Sequence, residues 1–223
     1  MMHEFSSPAA LADALADAVA AALAARLARE GAAALAVSGG TTPVKFLQAL
    51  SAKAINWSRV TVTLVDDRWV AESSARSNAA LVKNHLLQGP AAQAAFVPLV
   101  NGAATPEAGL AEVEQAIAAL PLPFAAIVLG MGLDGHTASF FPGGDRLAEA
   151  LAPSHGQRVE SMRAPAAVEP RITLTLPVLL QADFVALHIE GAAKRELLQS
   201  GAAKLPVRAV LARNPAPAIF WSP

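Results

Sequence analysis

Ala33-Ala34-Leu35-Ala36-Val37-Ser38-Gly39-Gly40-Thr41-Thr42-Pro43 decides the fold of this 223-residue chain. Five consecutive apolar residues stopped by Ser-Gly-Gly suit a short strand buried on both faces, and the proline sets the start of a helix after it. Upstream, residues 9–29 read as a helix, with Asp13 and Asp17 in the early turns, Arg26 and Arg29 near the end and Gly31 placed to cap it. Downstream the same unit recurs. Val60–Val65, Phe124–Leu129 and Phe184–Ile189 are apolar runs, each followed by a polar or glycine-rich segment. Helical stretches are expected near 43–53, 76–88, 106–120 and 192–199. Alternation of β and α implies an α/β fold with a mostly parallel sheet flanked by helices on both faces and joined by right-handed crossovers. No Gly/Ser-rich linker divides the chain, so residues 1–223 are expected to form a single domain. Residues 142–170, punctuated by Gly143-Gly144, Pro153, Pro165 and Pro170, are the least periodic and are expected to form a long loop, either at an active site or as an ordinary surface connection.

Composition narrows the function. With 54% hydrophobic and 16% charged residues the chain is not disordered, and 17 Lys+Arg against 18 Asp+Glu leave no electrostatic footprint for nucleic acid or an anionic membrane. Residues 9–28 are interrupted by Asp13, Asp17 and Arg26, which reads as too polar for a membrane span, and Met1–Phe5 lack the pattern of a signal peptide. A cytoplasmic location is expected. The absence of cysteine removes disulfides, thiol nucleophiles and thiolate metal sites, leaving His, carboxylate, hydroxyl, Lys or Arg for any chemistry.

Open parallel sheets bind ligands beyond the carboxyl ends of their strands. Four segments lie there. Ser38, Gly39, Gly40, Thr41 and Thr42 combine close backbone approach, hydroxyl donors and a helix start, which suits an anion, although composition leaves open a plain turn with an N-cap threonine. No Gly-Lys-Ser/Thr follows, so this is not a nucleotide P-loop. Asp66-Asp67-Arg68 has no neighbouring His or third acid, which favours a hydrogen-bonded turn carrying a substrate-facing Arg68 over a metal pair. Gly130-Met131-Gly132-Leu133-Asp134-Gly135-His136-Thr137 matches G-x-G-x-x-G, but Pro142 and Gly143-Gly144 cut the following helix short and no acid stands about twenty residues on, so a dinucleotide is not expected. The segment instead offers His136 in a glycine-rich turn with Asp134 two residues before it. An imidazole of ordinary pKa, about 6.5, is a good general base at neutral pH, and an acid can set its tautomer. Lys194 opens a helix after the fourth strand, a position that suits a cation only if an anion binds there too. His3, His85, His155 and His188 read as structural.

These segments, with Ser77-Asn78, the continuation Ala138-Ser139-Phe140-Phe141-Pro142, and Pro170-Arg171-Ile172-Thr173-Leu174-Thr175, resemble the 6-phosphogluconolactonase family in order and separation across nearly the whole chain. The resemblance implies a Rossmann-like fold shared with glucosamine-6-phosphate deaminase and ribose-5-phosphate isomerase. It implies hydrolysis of 6-phospho-D-glucono-1,5-lactone, in the oxidative pentose phosphate pathway, without metal or cofactor. His136 would activate water, with Asp134 and Arg68 at the reacting end. Ser38–Thr42, Asp67, Arg171 and Lys194 would gather around the sugar phosphate. The implied partner is a small sugar-phosphate lactone, met by a monomer. The family often carries Glu where this chain has Asp67. A deaminase-like enzyme is the alternative, disfavoured because its block carries an acid before the proline where Phe141 precedes Pro142. A non-catalytic sugar-phosphate sensor is a further alternative, disfavoured by the intact His136 and Asp134 and by the chain's beginning almost directly with its first helix.

Overall fold

The computed structural model describes residues 2–202 and 204–223. In chain order it contains β1 (Met2–Glu4), α1 (Pro8–Glu30), β2 (Ala33–Val37), α2 (Val44–Ser51), β3 (Val60–Leu64), β4 (Asp66–Arg68), α3 (Asn78–His85), β5 (Ala95–Phe96), α4 (Pro106–Ala118), β6 (Phe124–Leu129), α5 (Leu147–Leu151), β7 (Val159–Met162), β8 (Arg171–Leu174), α6 (Leu176–Leu180), β9 (Ala182–Glu190), α7 (Ala192–Gln199), α8 (Val207–Leu211) and β10 (Ala218–Ser222).

Local signals bound α1. Ser7 Oγ accepts the Ala10 N–H at 3.2 Å, Pro8 opens the helix, and Gly31 ends it at φ 71° with its N–H on the Leu27 carbonyl. By length and composition this helix is apolar enough to cross a membrane, so its charges alone do not exclude that, contrary to the expectation from sequence. What its apolar side meets here is the sheet. Leu11, Leu15, Val19 and Leu23, one per turn, are fully buried where α1 packs on β2, β6, β9 and β10, each stabilising the fold by about 1.5–3 kcal/mol. Arg26 is buried with them and forks onto Asp183 of β9, Nε and Nη2 lying 2.9 and 2.8 Å from its carboxylate oxygens.

The main sheet runs β1-β10-β9-β6-β2-β3-β5 with every neighbouring pair parallel, flanked by helices. All residues of β2 and β6 are buried, which is why both appear as unbroken apolar runs. The strands that follow β2 first build outward through β3 and β5, then return to its other side as β6, β9 and β10. The strand order therefore reverses between β2 and β6, and a crevice opens beyond their carboxyl ends.

A second sheet, β4-β8-β7, is antiparallel and was not expected from the sequence. It grows directly out of β3. Val65 donates its N–H to the Val37 carbonyl of the main sheet, and its own carbonyl accepts the Leu174 N–H from β8, so one residue hinges the two sheets together. Residues 142–170 are correspondingly not one long loop, since α5 and the buried β7 lie within them. β7 hides a carboxylate: Glu160 is buried, takes the Ser161 N–H at 2.9 Å and lies 3.6 Å from Arg146.

Candidate active site

The crevice between β2 and β6 is closed at its base by Ser38. Its N–H and its Oγ both donate to the Val128 carbonyl, at 2.9 and 3.0 Å, and the same Oγ accepts the Gly130 N–H at 2.9 Å. This seam brings the loop after β2 and the glycine-rich loop after β6 side by side above a cavity of about 320 Å³. The Ser38–Pro43 loop forms one wall, and α2 behind it starts at Val44 with Pro43 as a cap that makes no side-chain hydrogen bond. Pro43 thus stands one residue earlier in the helix than expected, and the first turn of α2 still faces the loop uncapped.

The opposite wall carries the histidine. Nδ1 of His136 lies 2.5 Å from Oδ1 of Asp134, which also accepts the His136 backbone N–H at 3.1 Å. The loop is folded tightly enough to require glycine: a Cβ on Gly132 would stand 2.3 Å from the His136 ring. Gly135 at φ 79° makes the turn that donates to the Gly132 carbonyl, while Thr137 Oγ donates to the Gly130 carbonyl at 2.8 Å. Burial pushes the Asp134 carboxyl up, yet the hydrogen bonds from the His136 amide and ring prevail and hold it below the ordinary aspartate value. Phe141 packs against the imidazole, ring centroids 4.4 Å apart.

Three cations line the cavity: Arg68, Arg171 and Lys194. Arg68 is held from behind, its Nη1 donating to the Arg76 carbonyl at 2.7 Å and to Asn78 Oδ1 at 3.2 Å, and Asn78 is itself anchored by Nδ2 on the Asp66 carbonyl at 2.9 Å. Gly39 lies against this arrangement, since a Cβ there would overlap Asn78 Oδ1 at 1.8 Å. Arg171 is buried over the Phe141 ring at 5.3 Å, with Asp66 Oδ2 3.9 Å from its Nη1 and Ser139 Oγ donating to that carboxylate at 2.6 Å. Burial lowers both Arg171 and Lys194, the latter against the opposing pull of Glu190. Arg68 Nε and Arg171 Nε are buried without a protein acceptor, so the cavity favours an anion that can supply one.

Of the residues singled out from sequence, Ser38, Gly39, Gly40, Thr41, Thr42, Arg68, His136, Arg171 and Lys194 converge on this cavity. Two do not line it. Asp134 stands behind His136 and reaches the cavity only through that ring. Asp67 is fully buried and turned the other way, accepting the N–H groups of Arg68 and Asn78 at 2.8 Å each and of Ala79 at 3.1 Å. It binds the start of α3, not a ligand. Desolvation raises Asp67 to about 6, against these same backbone hydrogen bonds. Asp66, Asn78 and His188 line the cavity and were not among the expected site residues. Asp66 adjoins Asp67 and Arg68 in β4, where strand alternation decides which neighbour faces inward, and Asn78 is placed by the start of α3. His188 carried no signal beyond being a polar residue in an apolar strand.

The sequence profile of the family described as glucosamine-6-phosphate isomerases/6-phosphogluconolactonase matches residues 6–221. A 6-phosphogluconolactonase of Rhizobium meliloti is 50% identical, with 100% of this chain and 98% of that protein covered. One of Mesorhizobium japonicum is 51% identical over 88% of this chain and 84% of its own length. The crystal structure of a 6-phosphogluconolactonase from Shewanella baltica superposes with a TM-score of 0.96 at 38% identity, covering 100% of this chain and 97% of the other.

Proposed function

The chain belongs to the glucosamine-6-phosphate isomerase/6-phosphogluconolactonase family, and from that premise we propose that it hydrolyses 6-phospho-D-glucono-1,5-lactone to 6-phospho-D-gluconate. The observation that carries the reading within this molecule is the His136–Asp134 pair on the wall of a cavity that also holds Arg68, Arg171 and Lys194. A base and three cations suit a substrate with an electrophilic carbonyl at one end and a phosphate at the other.

Asp134 accepts the hydrogen bond that His136 Nδ1–H donates, which leaves Nε2 free to accept a proton. As water adds to the lactone carbonyl carbon, Nε2 removes its proton and the carbonyl electrons move onto oxygen. Arg68 stabilises that oxyanion. Collapse re-forms the carbonyl and breaks the bond to the ring oxygen, which takes the proton back from His136. The Ser38–Thr42 loop, Arg171 and Lys194 hold the phosphate. Asp67 contributes from outside the cavity, by holding the amides of Arg68 and Asn78.

The reading extends to a single domain acting as a monomer in the cytoplasm, with no metal or cofactor. The cysteine-free composition and the burial of the leucine stripe of α1 against the sheet support the cellular location. The test is decay of freshly made 6-phosphoglucono-1,5-lactone followed beside a buffer blank, because the lactone also opens spontaneously. A rate no greater than the blank overturns the proposal.

A further inference from the structure

Four buried side-chain polar atoms among the described residues have no protein partner: Arg68 Nε, Arg171 Nε, His188 Nδ1 and Ser222 Oγ. Three belong to residues lining the cavity, and the mechanism above employs only the two arginines. His188 is 2% exposed, near the carboxyl end of β9. Its apolar neighbours are Phe220, opposite it on β10, and Phe46 of α2, edge-on with ring centroids 6.3 Å apart. The charged groups beside it are Glu190 on its own strand and Lys194 on α7; Asp66, Arg68, Arg171 and His136 also line the cavity.

The hydrogen-bonding state of the ring follows from these neighbours. Nε2 lies 3.2 Å from Glu190 Oε1, and a carboxylate only accepts, so Nε2 carries the hydrogen. Burial, reinforced by Lys194, pushes the imidazole down to about 4, so at neutral pH it has one proton and Nδ1 is a bare acceptor. A phosphate dianion or a lactone carbonyl has no hydrogen to give such an atom. A sugar hydroxyl has one.

We propose that His188 is a specificity-determining residue whose Nδ1 accepts a hydrogen bond from a hydroxyl of the bound sugar. The assignment rests on the sugar-phosphate lactone reading and adds to it a reader of the sugar itself. A site built to pair a buried acceptor with a hydroxyl discriminates against the analogue lacking it, because the acceptor is then left unpaired.

The experiment compares kcat/KM for 6-phosphoglucono-1,5-lactone and its monodeoxy analogues in the wild-type protein, His188→Phe and His188→Asn. Phenylalanine suits the packing between Phe46 and Phe220 and has no acceptor; asparagine keeps one near the Nδ1 position. One monodeoxy lactone is expected to be a roughly 5- to 150-fold poorer substrate for the wild type. His188→Phe should lose a similar factor on the parent lactone and nothing more on that analogue, while His188→Asn keeps most of the discrimination. An unchanged parent rate in His188→Phe, or one uniform loss across all lactones, overturns the assignment. Should His188→Phe fail to fold by circular dichroism, His188→Leu carries the same comparison. The wild-type rate on the parent lactone over the blank tests the underlying function separately.

Discussion

One oxygen of Asp134 binds His136 twice, at the ring Nδ1 at 2.5 Å and at the backbone N–H at 3.1 Å. The ring orientation and the loop conformation therefore depend on the same carboxylate. Replacing His136 with Asn removes proton acceptance and should lower kcat by about 10²–10⁴-fold with little change in KM. Asp134→Asn should cost less, since it leaves the base in place but frees its tautomer. Steady-state kinetics with the blank subtracted decide this, and a folded His136→Asn protein with near-wild-type kcat would move water activation to another residue.

Lys194 is half-buried at the start of α7 and lines the cavity. As a phosphate contact it should contribute about 1.5–3 kcal/mol. Lys194→Ala should accordingly reduce kcat/KM on the phosphorylated lactone by roughly one to two orders of magnitude and leave any turnover of glucono-1,5-lactone nearly unchanged. Equal losses on the two lactones would count against Lys194 as the anchor.

Glycine positions offer a sharper geometric test. Gly39→Ala forces a methyl into Asn78 Oδ1, and Asn78 holds Arg68, so kcat/KM should fall at least about tenfold. Gly132→Ala pushes on the His136 ring and should act mainly through kcat. Gly102, where an added Cβ meets nothing within 4 Å, is the control, and Gly102→Ala should leave kinetics unaltered.

Two buried groups should give stability opposite pH dependences. Asp67 rises from 3.8 to about 6, so the folded state keeps its proton longer than the unfolded chain, and its contribution declines as pH rises from about 4 to about 6. His188 falls from 6.5 to about 4, so the unfolded chain takes the proton first, and its contribution is lost as pH falls from about 6.5 to about 4. Each effect is on the order of 2–3 kcal/mol. Urea unfolding across this range should show Asp67→Asn losing stability on acidification more steeply than the wild type, and His188→Phe less steeply. Parallel curves for all three proteins would show that neither group is desolvated as the fold requires.

Asp67→Ala should be costly even at neutral pH, because it strands the buried N–H donors of Asn78 and Ala79, each worth about 1–3 kcal/mol, and the half-buried one of Arg68, at the junction of β4 and α3. Glutamate, which keeps the carboxylate, should restore most of the stability and of kcat/KM if that group serves to hold Arg68 and Asn78. Thermal unfolding and kinetics of Asp67→Ala and Asp67→Glu measure this, and an Asp67→Ala protein as stable as the wild type would remove the carboxylate from that role.

Much of the architecture was legible in the sequence because its cause is local. β2 and β6 are buried on both faces, so each had to be an unbroken apolar run, and the following glycine-rich loops had to lie at the carboxyl edge of a parallel sheet. Helix α7 begins and ends where Gly191 and the periodicity of residues 192–199 place it, and Gly31 ends α1 in the left-handed conformation that glycine adopts freely. The second sheet was hidden for the complementary reason. β7 buries Glu160 and Ser161, whose polarity is satisfied by hydrogen bonds across a few residues and by Arg146, so its sequence does not look like a core strand. The inward face of Asp66-Asp67 was likewise undetermined by the residues themselves. Adjacent strand residues point to opposite sides, and only the pairing of β4 with β8 turned Asp66 toward the cavity and Asp67 toward the amides of α3. His188 came to line the cavity only when β9 was laid beside β6 at the crevice, because an unpaired nitrogen is a property of surroundings that the chain brings together from distant positions.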